Sequence, residues 1–173
     1  MKYFYIFFYY LIFSKLPSSH YPFGKIFNYL RITMLKNIVR IGKNCRIQRN
    51  VYFGDGNNVE IGNNCQINEN VRLDNVKIGN SVMIARDAVF LGKMHNFSSV
   101  EIPMNEQEIT SSNRTVIEND VWIGIRVIVM PGISISKGSI VAAGAVLTKD
   151  TVPYGIYAGV PAKLIRLRKD TQI

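Results

Sequence analysis

From Ile41 onward an aliphatic side chain or a phenylalanine returns at every sixth residue. The series runs Ile41, Ile47, Phe53, then Ile61, Ile67, Leu73, then Ile78, Ile84, Phe90. After an interruption it resumes as Ile117, Ile123, Val129, Ile135, Val141, Leu147. Gly or Ala often follows the anchor, as at Gly42, Gly62, Gly79, Ala85, Gly124 and Ala142. Four residues past the anchor the side chain is small or β-branched: Cys45, Val51, Cys65, Val71, Val82, Ala88, Val121, Val127, Ser139, Ala145 and Thr151. A helix repeats its apolar face at about 3.6 residues and a strand at two, so neither explains a period of six. The pattern predicts a short strand, a turn and another short strand. Three such units return the chain above its start, and the coils stack at the inter-strand spacing of about 4.8 Å. A single coil cannot bury its anchors, whereas stacked coils share one apolar column. The fifteen anchors, taken in threes, predict an all-β parallel β-helix of about five coils.

The slips in the period locate its corners. The step is eight between Phe53 and Ile61, five between Leu73 and Ile78, and 27 between Phe90 and Ile117. The last marks a long polar loop over residues 93–114, inserted after the third coil. Loops beyond about 12–15 residues are usually functional, and this one carries His95. Cys45 and Cys65 fall at matching positions of the first two coils, which predicts two small buried thiols stacked in the column.

The repeat divides the chain into an N-terminal appendage over 1–40, a β-helix over 41–158 and a basic C-terminal tail over 159–173. The appendage opens with an apolar and aromatic run from Tyr3 to Phe13, between Lys2 and Lys15. A span needs about 20 such residues, so this run is too short to cross a membrane. Two readings remain. A helix could pack a stripe of Phe4, Phe7, Phe8 and Leu11 on the domain or on a neighbouring subunit. Alternatively, it could lie on the inner membrane face, with Lys25, Arg31 and Lys36 meeting lipid phosphates. The corresponding expectation is a cytoplasmic protein with a possible peripheral membrane contact.

Composition narrows the function classes. Apolar residues make up 47% of the 173 and charged residues 19%, a globular balance. The formal charge of +9 favours an anionic partner. The basic residues are scattered or gathered at the C-terminus rather than interleaved with aromatics, which argues against nucleic acid. A three-histidine zinc site needs ligands this chain lacks, because only His20 and His95 are present, so no metal is expected.

Two segments carry a resemblance. One is Asn119-Asp120-Val121-Trp122-Ile123-Gly124 with Pro131-Gly132 following; the other is Gly144-Ala145-Val146-Leu147-Thr148-Lys149-Asp150, leading to Ala158-Gly159-Val160-Pro161-Ala162-Lys163. Together with the repeat, they make residues 40–168 resemble the hexapeptide-repeat acyltransferases, chiefly galactoside and maltose acetyltransferases and bacterial polysaccharide O-acetyltransferases. The resemblance implies left-handed coils, against the usual right-handed crossover. It also implies a homotrimer, with each active site between adjacent β-helices, and transfer of an acetyl group from acetyl-CoA to a sugar or glycan hydroxyl, as in surface polysaccharide biosynthesis.

The same resemblance assigns roles. His95 matches the family's catalytic histidine; an imidazole, ordinarily titrating near pH 6.5, suits removal of a hydroxyl proton. Trp122 would line the donor groove. Cofactor contacts carry over to Gly124, Ile125, Ala143, Thr148, Lys149, Lys163 and Arg166. The galactoside enzymes have a serine where this chain has Ile125, so contact there would be through backbone or apolar packing. Asn68 and Asp74 are the nearest matches to acceptor-binding residues, with Asn75 as a substitute for the latter. His20 lies outside the repeat and reads as ordinary. The alternatives are acetyl transfer to serine or to an amino-sugar nucleotide, or a trimeric β-helix scaffold that binds CoA without catalysis.

Overall fold

The computed structural model describes residues 1–110 and 114–170. Two helices, α1 (Lys2–Leu11) and α2 (Gly24–Leu35), precede a stack of short strands, two or three residues long up to Leu147. The strands form three parallel faces. Face 1 joins Arg40–Ile41, Val59–Ile61, Val76–Ile78, Thr115–Ile117 and Ser134–Ile135. Face 2 joins Arg46–Ile47, Gln66–Ile67, Met83–Ile84, Trp122–Ile123, Ile140–Val141 and Gly155–Ala158. Face 3 joins Arg72–Leu73, Val89–Phe90, Ile128–Val129 and Val146–Leu147, with Tyr52 bridging to Arg72 below.

Register follows the repeat. Ile47 pairs with Ile67, Ile67 with Ile84, Ile84 with Ile123, and Ile123 with Val141. Every anchor from Ile47 to Leu147 is buried; Ile41, in the first coil, is only partly covered. Each filled anchor removes an aliphatic side chain from water, which is worth about 1.5–3 kcal/mol. The small residues four places on are buried too, Cys45 and Cys65 among them, both as free thiols. The stack exceeds the expected five coils. A sixth begins with buried Thr151 and with Tyr157, which pairs with Val141.

The corners explain the Asn and Asp content. The corner from face 2 to face 3 places Asn50, Asn70, Asp87, Arg126 and Gly144 at positive φ, one per coil. Asn and Asp tolerate this region better than other side chains. Their polar ends form a ladder: Asn50 Nδ2 donates to Asn70 Oδ1 at 3.2 Å, and Asn70 Nδ2 to Asp87 Oδ1 at 2.9 Å.

Both ends of the column are covered. At the C-terminal end the expected tail is instead a hairpin, with Lys163–Leu167 antiparallel to Gly155–Ala158. At the other end α2 docks through Asn28, whose Oδ1 accepts from Ile47 N at 3.0 Å. α2 begins at Gly24, where a Cβ would lie 2.3 Å from Ser19 O, so only glycine fits.

The N-terminal expectation needs correcting. α1 packs through Tyr9, which is buried and donates from its hydroxyl to Val51 O at 2.7 Å. Beside it, Tyr10 donates to Gly54 O at 2.9 Å. The anticipated stripe does not pack on the domain, since Phe4, Phe7 and Leu11 are exposed and Phe8 is only partly covered. Attachment to the membrane face fails on the same geometry. The segment is ten residues of helix fastened to the first coil by tyrosine hydroxyls, and Arg31, expected near lipid phosphate, is fully buried. Among the described residues no helix is long and apolar enough to cross a membrane.

Candidate active site

The corner from face 2 to face 3 is bare near its upper end. Here Gly124, Ile125, Ala143 and Gly144 follow their strands, none of them larger than isoleucine, and Arg126 projects at the edge of this strip. Gly124 is buried, and a Cβ there would meet Ala143 N at 2.6 Å, so this glycine lets adjacent coils stack. A Cβ built on Gly144 would meet nothing within 4 Å, so the strip is open outward. The coil-to-coil backbone bonds use Gly124 N and Gly144 N. The N–H groups of Ile125 and Ala143 have no partner among the described residues. A thin amide-containing chain laid along this strip would find both donors, so the residues fit a pantetheine-like arm.

Lower on the same corner lies Asn68, half-buried, its Nδ2 donating to Ile84 O at 3.0 Å. Trp122 stands on face 2 beside Met83 and Ile140, 49% exposed.

The corner from face 3 to face 1 carries the other expected residues. Asp74 holds Arg72 Nε at 2.9 Å, and this contact pushes the arginine's already high pKa further up. Asp74, Asn75, Gly92 and Lys93 line a cleft of about 610 Å³. The long loop leaves from this corner. It has structure of its own: Met94–His95 pairs antiparallel with Ile109–Thr110, and Asn96 N donates to Glu108 O at 3.2 Å. Gln107 braces the loop's interior, donating to Ser99 O at 3.0 Å and to Ile102 O at 2.6 Å. His95 sits on the first strand of this pair, opposite Ile109, and is exposed. The loop is less polar than expected, for Phe97, Val100, Ile102, Met104 and Ile109 are all exposed. Where the chain re-enters the β-helix, Arg114 clamps it, with Nη1 to Glu60 Oε1 at 3.0 Å and Nη2 to Asn58 O at 3.2 Å. The Arg114 guanidinium holds the Glu60 carboxyl below the usual carboxylate range.

Thr148 and Lys149 lie exposed just past face 3, and Lys163 and Arg166 are exposed on the C-terminal hairpin. Arg168 is drawn away from that basic cluster, pairing with Asp120 at 2.8 Å. Within one chain, then, the candidates divide between two edges of face 3. Asn68, Gly124, Ile125 and Ala143 border one edge; Asp74, His95, Thr148 and Lys149 border the other. Among the described residues no group of three His, Cys, Asp or Glu is placed to hold a metal ion.

Sequence reasoning passed over a third cluster. His20, read as ordinary, faces a groove beside Asn68 together with Arg49, Glu69, Arg86 and Arg126. The signal in the sequence was faint: a charged residue two places past the face 2 anchor in each of the first three coils.

Short strands wound on three faces, with open corners bearing the polar chemistry, define a hexapeptide-repeat β-helix protein. Residues 114–149 match the family described as bacterial transferase hexapeptide (six repeats). The galactoside O-acetyltransferase of Escherichia coli K12 is 34% identical over 129 residues, 73% of this chain and 62% of that protein. A chloramphenicol acetyltransferase of Agrobacterium fabrum is 54% identical over 56 residues, 32% of this chain and 27% of that protein. The matched stretches thus span under two thirds of these curated relatives. A solved hexapeptide-repeat acetyltransferase of Vibrio cholerae O1 biovar eltor, complexed with acetyl coenzyme A, superposes with a TM-score of 0.75 at 30% identity. That match covers 82% of this chain and 78% of the other. The chain belongs to the hexapeptide-repeat acyltransferase family.

Proposed function

We propose that this protein is an acetyltransferase that moves the acetyl group of acetyl-CoA to a carbohydrate hydroxyl, within a homotrimer, in the synthesis of a surface polysaccharide. The observation that carries this reading is the split of the candidate residues over two edges of face 3. A bare strip with outward amides lies on one edge and an imidazole on the other, so a second copy must bring the two together. The five exposed apolar residues of the His95 loop support such a copy, because they have no cover among the described residues. The likeness to a galactoside O-acetyltransferase supports a sugar hydroxyl as the acceptor.

The donor supplies an activated acyl carbon as a thioester. The pantetheine arm lies along Gly124, Ile125 and Ala143, its amides facing the free N–H groups, with Trp122 flanking the groove. Lys163 and Arg166, and from the other edge Thr148 and Lys149, meet its phosphates through charge-assisted bonds. Asn68 and Asp74 orient the acceptor. His95 takes the hydroxyl proton as the oxygen attacks the acyl carbon, the C–S bond breaks, and the imidazolium returns the proton to the departing thiolate. A backbone N–H stabilises the oxyanion that forms.

A panel of sugars with acetyl-CoA, followed by release of free thiol, tests the reading. His95→Ala should lower turnover by roughly 100-fold or more, leaving CoA affinity and oligomeric mass intact. Near-normal turnover in that variant would remove His95 from the chemistry. CoA binding with no transfer to any hydroxyl would favour a scaffold instead.

A further inference from the structure

We propose that the groove at the lower end of the face 2 to face 3 corner selects an acceptor bearing a negative charge, a carboxylate or a phosphate on a sugar. This deepens the acetyl-transfer reading and rests on it. The groove, of about 580 Å³, reaches up to Arg126 on the coil that carries Gly124 and Ile125, where Arg126 N donates to Arg86 O at 3.1 Å. The inferred donor arm and the groove therefore share one continuous corner.

The charges facing the groove do not cancel. Glu69 is engaged: it accepts from the Ser18 hydroxyl at 2.6 Å and lies 3.8 Å from His20 Nδ1. Asp87 accepts from Asn70 Nδ2 at 2.9 Å and lies 3.9 Å from Arg126 Nε. Arg49 and Arg86 are exposed, and among the described residues neither has a carboxylate within 4.0 Å. They stand two coils apart, roughly 10 Å at the backbone, a gap that two arginine side chains can close around one anion. The backbone adds donors. As at Ile125 and Ala143, the N–H groups of Arg49, Glu69 and Arg86 have no partner among the described residues. Guanidinium forks and outward amides are the donor set that holds carboxylates and phosphates.

The rim points to a sugar rather than to a bare ion. The His20 and Tyr21 rings lie 4.6 Å apart, tilted by 33°, at the mouth of the groove. An aromatic surface beside hydrogen-bonding groups suits the apolar face and the hydroxyls of a pyranose. A simple solvated surface would also present arginines. What sets this surface apart is two arginines without a carboxylate partner among the described residues, gathered with engaged carboxylates and a tilted aromatic pair in one groove.

The test compares methyl β-galactopyranoside, the methyl glycoside of galacturonic acid and galactose 6-phosphate, in wild type and in Arg49→Gln/Arg86→Gln. Both acetyl transfer and direct binding are read, the latter by saturation-transfer NMR. Wild type should favour at least one charged sugar over the neutral one by tenfold or more, through KM. The double variant should lose at least tenfold of that ratio while unfolding at the same temperature. Which charged sugar wins identifies the anion. Equal binding of neutral and charged sugars, or a preference untouched by the substitutions, would overturn the proposal. Charge-dependent binding without transfer to any sugar would instead sink the acetyl-transfer reading and leave the groove's selectivity standing.

Discussion

Arg31 carries a full charge into the interior with no carboxylate bonded to it among the described residues. Its guanidinium donates to four backbone carbonyls: Phe13 at 3.2 Å, Ile47 at 2.8 Å, Leu16 at 2.6 Å and Pro17 at 3.1 Å. Burial pulls its pKa below the usual arginine value, but the group stays charged because the carbonyls replace its water. The residue ties α2, the segment after α1 and the first coil to one point. Arg31→Met keeps the volume and removes the donors, leaving buried carbonyls unpaired. Stability should fall by roughly 2–4 kcal/mol, measured by denaturant unfolding. Nothing in the sequence marked Arg31 for this; there it stood with Lys25 and Lys36 as a candidate contact for lipid phosphates. Asn68 and Asp74, by contrast, were put forward by the family resemblance, as the nearest matches to its acceptor-binding residues. Only the coordinates showed that they border different edges of the same face.

Among the elements, the His95 loop depends most on a single closure. Arg114 holds its returning end to Glu60 and to the Asn58 and Val76 carbonyls, the last at 3.3 Å. Because the folded Glu60 carboxyl titrates below its unfolded value, the clamp contributes in full above the ordinary carboxylate range. That contribution drains away as pH falls through the lowered value. Glu60→Gln should therefore unfold at a lower temperature than wild type near about pH 6, and the difference should close toward about pH 3. A gap of constant size across that range would show that the ion pair does not carry the closure. The existence of this loop could be read from a broken period. Its internal strand pairing could not, since Met94–His95 and Ile109–Thr110 are too short to leave a periodic trace.

At the scale of the whole molecule, apolar surface remains where one chain cannot bury it. Val100 is 96% exposed and Phe97 66%, on the loop that also presents His95. If a second copy covers that loop, sedimentation should give a trimer, and Phe97→Ser/Val100→Ser should shift it toward monomer. Transfer activity should fall with the oligomer, because each proposed site takes residues from two chains. A wild-type monomer with full activity would refute the shared site.

The repeat was determined by the sequence alone, for a physical reason. Each anchor must enter the column, each corner must turn within a few residues, and both demands recur in every coil. A local pattern therefore specifies strands, faces and register, and it did so from Ile47 to Leu147. What lies across coils was decided only by the tertiary structure. Ser18, His20, Arg49, Glu69 and Arg86 meet in one groove because stacking sets coils a strand-width apart while α1 and α2 fold back along the first of them. The direction of α1 was settled in the same way. Its run is apolar on every side, so no period could say that Tyr9 and Tyr10 would turn inward and Phe4 and Phe7 outward; the carbonyls of the first coil made that choice.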